Sequence, residues 1–216
     1  MEGYVPALVH IVDDDPSFRV AISRRLTQAG YEVAAYGSAR QLLDNLPTGD
    51  EPSCILLDVR MPDLTGPALQ QRLADLGSTI PIIILSGFAD TRIVVQTLKA
   101  GALDFLTKPV NTDDLLRAID KALAHEQALR DHRSTLDDIR TRLATLTPRE
   151  RQVFDLIIRG NTNKRIGLAL GTTERTIKAH RHRVIEKMQV RSLAELVSLS
   201  ERVGVLRGAS DSEHTA

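Results

Sequence analysis

Ala7-Leu-Val-His-Ile-Val-Asp-Asp14 sets an apolar run against two carboxylates, and the same design returns three times along the chain. Cys54-Ile-Leu-Leu57 runs into Asp58, Ile82-Ile-Ile-Leu85 into Ser86, and Asp104-Phe-Leu-Thr107 into Lys108-Pro109. Short continuous apolar runs separated by helical patterns predict a parallel sheet covered on both faces. In open sheets of that kind, ligands bind outside the carboxyl ends of the strands. Asp13, Asp14, Asp58, Ser86 and Lys108 are therefore expected in one crevice. Three carboxylates, a hydroxyl and an ammonium suit a hard divalent cation together with a phosphoryl group.

Working outward, five strands are predicted near 7–12, 32–36, 54–58, 81–86 and 103–107. The first helix starts at Asp15-Pro16, a side-chain cap followed by proline at the first helical position. Further helices are predicted near 39–46, 66–76 and 90–100, and from 112, where Asn111 caps and Asp114 follows three residues on. No proline falls between Pro109 and Pro148, and no glycine between Gly101 and Gly160, so this last helix can run to about 145. Leu129, Leu136 and Leu143 stand seven apart, with His132, Ile139 and Leu146 three residues after them. Histidine is a poor seam residue, so the heptad is weak, and a linker helix packed on its own chain or exposed is favoured over a paired coiled coil.

A second domain opens at Thr147-Pro148-Arg149-Glu150, which reads as a capping box with proline at the first helical position. Val153, Phe154, Ile157 and Ile158 form one apolar face ahead of Gly160. Short helices are expected at 163–170, from Thr173 to about Met188, and at 192–203. Four short helices with tight turns fit a helix-turn-helix module. The expected division is 1–125, a linker at 126–146, the helical domain at 147–207 and a small polar tail, disordered by composition, at 208–216.

The 216 residues carry no net charge, with 42% apolar and 26% charged side chains, as in ordinary soluble globular proteins. The balance hides an asymmetry: residues 1–122 hold 11 basic and 16 acidic side chains, and residues 123–216 hold 17 and 12. A basic second half points to nucleic acid as its partner. No apolar run reaches the roughly 18–20 residues of a bilayer span, and Met1–Pro6 lacks the pattern of a signal peptide. No membrane partner and a cytoplasmic location are expected. The single Cys54 sits in an apolar run and reads as a core side chain, as does His10 in the first strand.

The motifs Asp13-Asp14, Leu57-Asp-Val-Arg-Met-Pro-Asp63, Ser86, Phe105 and Lys108-Pro109, over about residues 5–125, resemble the signature of response-regulator receiver domains. The resemblance implies a doubly wound five-stranded α/β sheet of order 2-1-3-4-5, flavodoxin-like, with Asp58 as phosphoacceptor. It also implies Mg2+ held by Asp14, Asp58 and the Arg60 backbone carbonyl, with Asp13 acting through water. Lys108 and Ser86 would contact the phosphoryl group, Phe105 would move with it, and the lysine–proline bond would be cis. A carboxylate is a weak nucleophile, and such a cation offsets the repulsion between two anions. Phe105 stands where many relatives carry tyrosine. Arg60 and Phe88 are bulky and would screen an acyl phosphate from water, which implies slow self-dephosphorylation. On the fourth helix, Val94, Val95 and Leu98 read as the inward face and Ile93 as an outward group. Because the family dimerises through this helix and the fifth strand, Ile93 is expected in the phosphorylated homodimer.

On the helix ending near Met188, Ile177, Val184, Ile185 and Met188 cluster within an arc of about 100°, and Arg175, Lys178, Ala179, His182 and Arg183 within about 140° on another side. A small basic face opposite an apolar one suits insertion into the major groove. Leu146-Thr-Pro-Arg-Glu-Arg-Gln152, Asn163-Lys164, Thr176-Ile-Lys-Ala-His180 and Val190-Arg-Ser-Leu-Ala-Glu-Leu196 resemble the LuxR/FixJ-type helix-turn-helix. By that resemblance Lys178, Ala179 and His182 meet base edges, while Arg175, His180, Arg181 and Arg183 touch phosphates. Leu193, Leu196, Val197 and Leu199 lie where this family pairs on DNA, the alternative for some of them being to cover the module's own core. Arg165 stands where relatives often carry Glu or Gln. The whole chain then resembles a transcriptional response regulator. Its implied partners are a sensor histidine kinase, double-stranded promoter DNA and RNA polymerase. An aspartyl-phosphate phosphatase would place a second Asp two residues after the nucleophile, where this chain has Arg60. A constitutive DNA-binding protein with an inert receiver is the other alternative, and the complete acceptor, metal and lysine set argues against it.

Overall fold

All six residues of Ser53–Asp58 and all five of Ile82–Ser86 are buried, as strands covered on both faces must be. The computed structural model describes residues 7–46, 51–62, 64–87 and 91–205; Phe88 and the tail from 208 lie outside them. Five parallel strands, β1 (Leu8–Val12), β2 (Glu32–Tyr36), β3 (Ser53–Asp58), β4 (Ile82–Ser86) and β5 (Asp104–Thr107), form one sheet of order β2-β1-β3-β4-β5. Register places Val12 beside Leu57, Asp58 beside Leu85 and Ser86 beside Thr107, so the polar strand ends share one edge of the sheet.

Strand alternation divides the core. Cys54 and Leu56 face one side with Ile22 and Leu26 of α1 (Pro16–Gln28) and Leu115, Ile119 and Ala122 of α5 (Thr112–Ala144). Ile55 and Leu57 face the other side with Leu42 of α2 (Ala39–Asp44) and Leu69 and Leu73 of α3 (Gly66–Asp75). Burial pushes the Cys54 thiol up to about 12, with the nearby Glu126 charge adding to it, which suits an inert core side chain. His10 is buried and stacked on Tyr36, and burial lowers its pKa.

The fourth helix, α4 (Thr91–Lys99), corrects the sequence reading. Ile93 packs half-buried on the core and Thr97 is fully buried, while Val95 and Leu98 are 45% and 43% exposed. Three consecutive apolar residues let either side of this helix face inward. Thr97 decides it, because its hydroxyl donates to the carbonyls of Ile93 and Val94 at 2.9 and 3.0 Å, so its burial leaves no donor unpaired. Gln70 Nε2 then donates to the Thr97 carbonyl at 3.1 Å, joining α3 to α4.

The chain divides into two compact units between Arg130 and Asp131, within α5. In the second unit, α6 (Pro148–Ile158), α7 (Asn163–Ala169), α8 (Glu174–Met188) and α9 (Leu193–Arg202) surround Phe154, Ile157, Ile166, Ile177, Val184 and Leu196. Ile139 and Leu143 from the end of α5 are buried in this same core. The last turns of the helix expected as linker therefore pack on their own chain, and the helical unit begins well before 147. Leu196, expected at a pairing surface, is fully buried in that core, and Val197 packs against it; Leu193 is exposed.

Candidate functional site

The carboxyl ends of β1, β3 and β5 bring two acids and one base together. Lys108 Nζ lies 2.5 Å from Asp13 Oδ2 and 2.6 Å from Asp58 Oδ1. Asp13 is fully buried and its other oxygen accepts the Asp15 amide at 2.9 Å. Asp58 Oδ2 accepts the Arg60 amide at 2.7 Å, which fixes the carboxylate and holds the Arg60 peptide against it. The Lys108 amide donates to the Ser86 carbonyl at 2.7 Å, so β4 and the turn after β5 are tied where the lysine emerges. The Lys108–Pro109 bond is cis.

Burial lowers the Lys108 pKa, but the hydrogen bonds and charges of Asp13 and Asp58 outweigh it, and the net shift is upward. For Asp13, burial raises the pKa, and the bonds from Lys108 and Asp15 pull it only partly back. Two carboxylates against one ammonium leave the cleft negative. That surplus and its all-oxygen donors fit a magnesium ion, which binds through one or two carboxylates and keeps several waters. Among the described residues no three acidic, His or Cys side chains already converge as a metal cage. Asp14 is exposed beside the cleft, so the buried place belongs to Asp13. Ser86 is buried and Phe105 is half-buried against the core; Phe88 falls outside the described residues.

Two features of this site are missing from the sequence reading. Gly66 begins α3 against the end of β3, where a Cβ would stand 2.5 Å from the Asp58 carbonyl oxygen. The Phe18 ring lies 4.2 Å from Lys108 Nζ. A glycine opening a helix was a visible signal for the first; the second is a tertiary contact with no local pattern.

In the second unit, Thr147 and Glu150 form the reciprocal cap expected of them. Lys187 reaches from α8 to Glu150 at 2.7 Å and to the Thr145 carbonyl at 3.0 Å. The Lys187 bond, followed by the Thr147 amide, holds Glu150 well below the usual range, at about 2. Gly167 lets α7 meet the turn before α8, since a Cβ there would lie 2.9 Å from the Thr172 carbonyl. On α8, Arg175, Lys178, Ala179, His182 and Arg183 are exposed while Ile177, Val184 and Met188 are buried, as the wheel predicts. His180 and Arg181 are half-buried, and His180 Nδ1 has no hydrogen-bond partner among the described residues.

The response regulator receiver domain family matches residues 9–120, and the luxR family of bacterial regulatory proteins matches residues 144–200. Nodulation protein W of Bradyrhizobium diazoefficiens is 38% identical over 214 residues, 99% of this chain and 93% of that protein. The transcriptional regulatory protein FixJ of the same organism is 38% identical over 198 residues, covering 92% of this chain and 96% of its own. The solved structure of response regulator StyR is similar with a TM-score of 0.82 at 39% identity, over 92% of this chain and 100% of that one. The acidic cleft with its lysine, the basic face of α8 and these likenesses agree: the chain belongs to the two-component response regulators of the FixJ/LuxR type, a receiver domain joined to a LuxR-family DNA-binding domain.

Proposed function

We propose that Asp58 is the phosphoacceptor of this regulator and that its phosphorylation by a sensor histidine kinase controls dimerisation and promoter binding. The observation that carries this reading is the Lys108 ammonium bridging Asp13 and Asp58 at the carboxyl edge of the sheet. A carboxylate oxygen of Asp58 attacks phosphorus while the bond to the donor imidazole nitrogen breaks, and the imidazole leaves with the electron pair. Lys108 transfers from Asp58 to a phosphoryl oxygen and keeps its bond to Asp13. The Ser86 hydroxyl donates to a second phosphoryl oxygen, and Phe105 turns into the space behind it. Asp14, Asp58 and the Arg60 carbonyl, with Asp13 acting through water, would hold the magnesium ion, which when bound neutralises the charge between acceptor and donor.

Movement of Ser86 and Phe105 is read out on α4. Val95 and Leu98, not Ile93, are the apolar groups exposed there, and they take the dimerisation role. Lys178, Ala179 and His182 read base edges, and Arg175 and Arg183 anchor phosphates. Leu193 remains as an exposed apolar group for pairing on DNA, in a cytoplasmic protein that also meets RNA polymerase. The test is phosphorylation of the full chain by acetyl phosphate with magnesium, followed by intact mass. One phosphoryl adduct in the wild type and none in Asp58→Asn is expected. An adduct retained in Asp58→Asn would overturn the assignment.

A further inference from the structure

Lys108 has a partner that the acceptor chemistry does not explain. Its ammonium has three N–H groups, and the two carboxylates take it from one side. On another side stands the ring of Phe18, with its centroid 4.2 Å from Nζ, inside the roughly 6 Å over which a ring face attracts a cation. The ring is itself held in place. Phe18 is the third residue of α1, its amide donates to the capping Asp15 carboxylate at 3.3 Å, and its side chain packs against the core shared by α1 and α5. Phe18, Lys108 and Asp15 line one cleft beside the acceptor.

We propose that Phe18 is a positioning residue for Lys108, its ring holding the ammonium against the Asp13–Asp58 pair and keeping water from its remaining side. This rests on the reading of Asp58 as phosphoacceptor. During transfer the ammonium must leave Asp58 for the phosphoryl oxygen, and its four-carbon stem allows it to swing out to solvent instead. A fixed aromatic wall restricts it to the path along the carboxylates. Excluding water on that side also strengthens its attraction for the developing phosphoryl charge.

The test compares full-length wild type, Phe18→Leu and Phe18→Tyr. Leucine keeps the apolar packing and removes the ring, whereas tyrosine keeps the ring. With saturating acetyl phosphate, the initial phosphorylation rate of Phe18→Leu is expected to fall about three- to tenfold, within the scale of one shielded cation–π contact. The magnesium concentration giving half the maximal rate stays unchanged, and Phe18→Tyr restores the rate to within about twofold. The Lys108 ε-methylene proton resonances, displaced by the ring current in wild type and Phe18→Tyr, return to an ordinary position in Phe18→Leu. Phe18→Met serves if the leucine variant does not fold. A wild-type rate in Phe18→Leu, a tyrosine variant as slow as leucine, or no ring-current displacement in the wild type would overturn the proposal. If the wild type takes up no phosphoryl group, the acceptor reading fails, and the Lys108 resonances still report whether the ring holds the ammonium.

Discussion

A single methyl group at Gly66 should damage the proposed acceptor site through the backbone. The Gly66 amide donates to the Val59 carbonyl at 3.0 Å, closing the turn between β3 and α3. A Cβ added there would stand 2.5 Å from the Asp58 carbonyl oxygen, 3.0 Å from Val59 Cα and 3.3 Å from the Asp58 carbonyl carbon. Ordinary contact begins near 3.4 Å, so Gly66→Ala demands a displacement of about 0.9 Å. The obstructing atoms are main chain, so no rotamer change relieves the clash. The same residue carries the 2.6 Å bond to Lys108 and the 2.7 Å bond from the Arg60 amide, and a shift of that size breaks one of them. Overpacking of this kind costs about 1–3 kcal/mol, or a fall in Tm of roughly 3–10 °C for a unit this large. Misplacing a reacting group by about 1 Å costs up to roughly 100-fold in rate. The assay is the initial rate of phosphorylation by acetyl phosphate with magnesium, beside a thermal melt of the same sample. A Gly66→Ala protein with wild-type rate and wild-type Tm would refute the close approach.

Glu150→Gln should destabilise the helical unit by about 1–3 kcal/mol at neutral pH, since it removes a buried, charge-assisted bond to Lys187. The folded pKa of Glu150 is depressed to about 2, below its ordinary value near 4.5. Its contribution is therefore full above about pH 4.5 and lost as pH falls toward 2, and denaturant unfolding of the two proteins should converge over that window. Lys178→Ala should weaken binding to a cognate operator by about 1–3 kcal/mol and relax base preference at one position. Arg175→Ala should weaken all sequences alike and reduce the salt slope by about one; gel-shift titrations at several salt concentrations separate the two. Val95→Glu with Leu98→Glu should abolish dimerisation of the phosphorylated protein in sedimentation, and Ile93→Glu should chiefly lower Tm, because Ile93 packs on the core.

The sheet was legible because each buried strand is an unbroken apolar run closed by a polar residue. Ser53–Asp58 and Ile82–Ser86 have no exposed position, so chemistry at their ends stands out. The two faces of α8 were legible because its apolar and basic arcs do not overlap. Where the sequence misled, a tertiary contact had overridden a local pattern. Val94, Val95 and Leu98 read as the inward face of the fourth helix, yet the fully buried residue is Thr97, whose hydroxyl is satisfied inside its own helix. Leu143 stands in the weak heptad, and with Ile139 it closes the core of the second unit, so the helix packs on its own chain there. Of the apolar groups on the last helix, open between pairing and covering the core, Leu196 is taken by the core and Leu193 is exposed. The buried carboxylate at the end of β1 is Asp13, a distinction between neighbouring aspartates that only the strand's side-chain alternation and Lys108 settle. Gly66 and Gly167 were visible as glycines at or within helices, but what each makes room for lies on another part of the chain.

Whether Asp58 is the switch is decided by sedimentation and operator binding of the full chain, with and without beryllofluoride plus magnesium, with Asp58→Asn as control. The beryllofluoride-treated wild type alone is expected to dimerise and to bind DNA more tightly. Unchanged assembly and affinity in the treated wild type, or an equal response in Asp58→Asn, would contradict it.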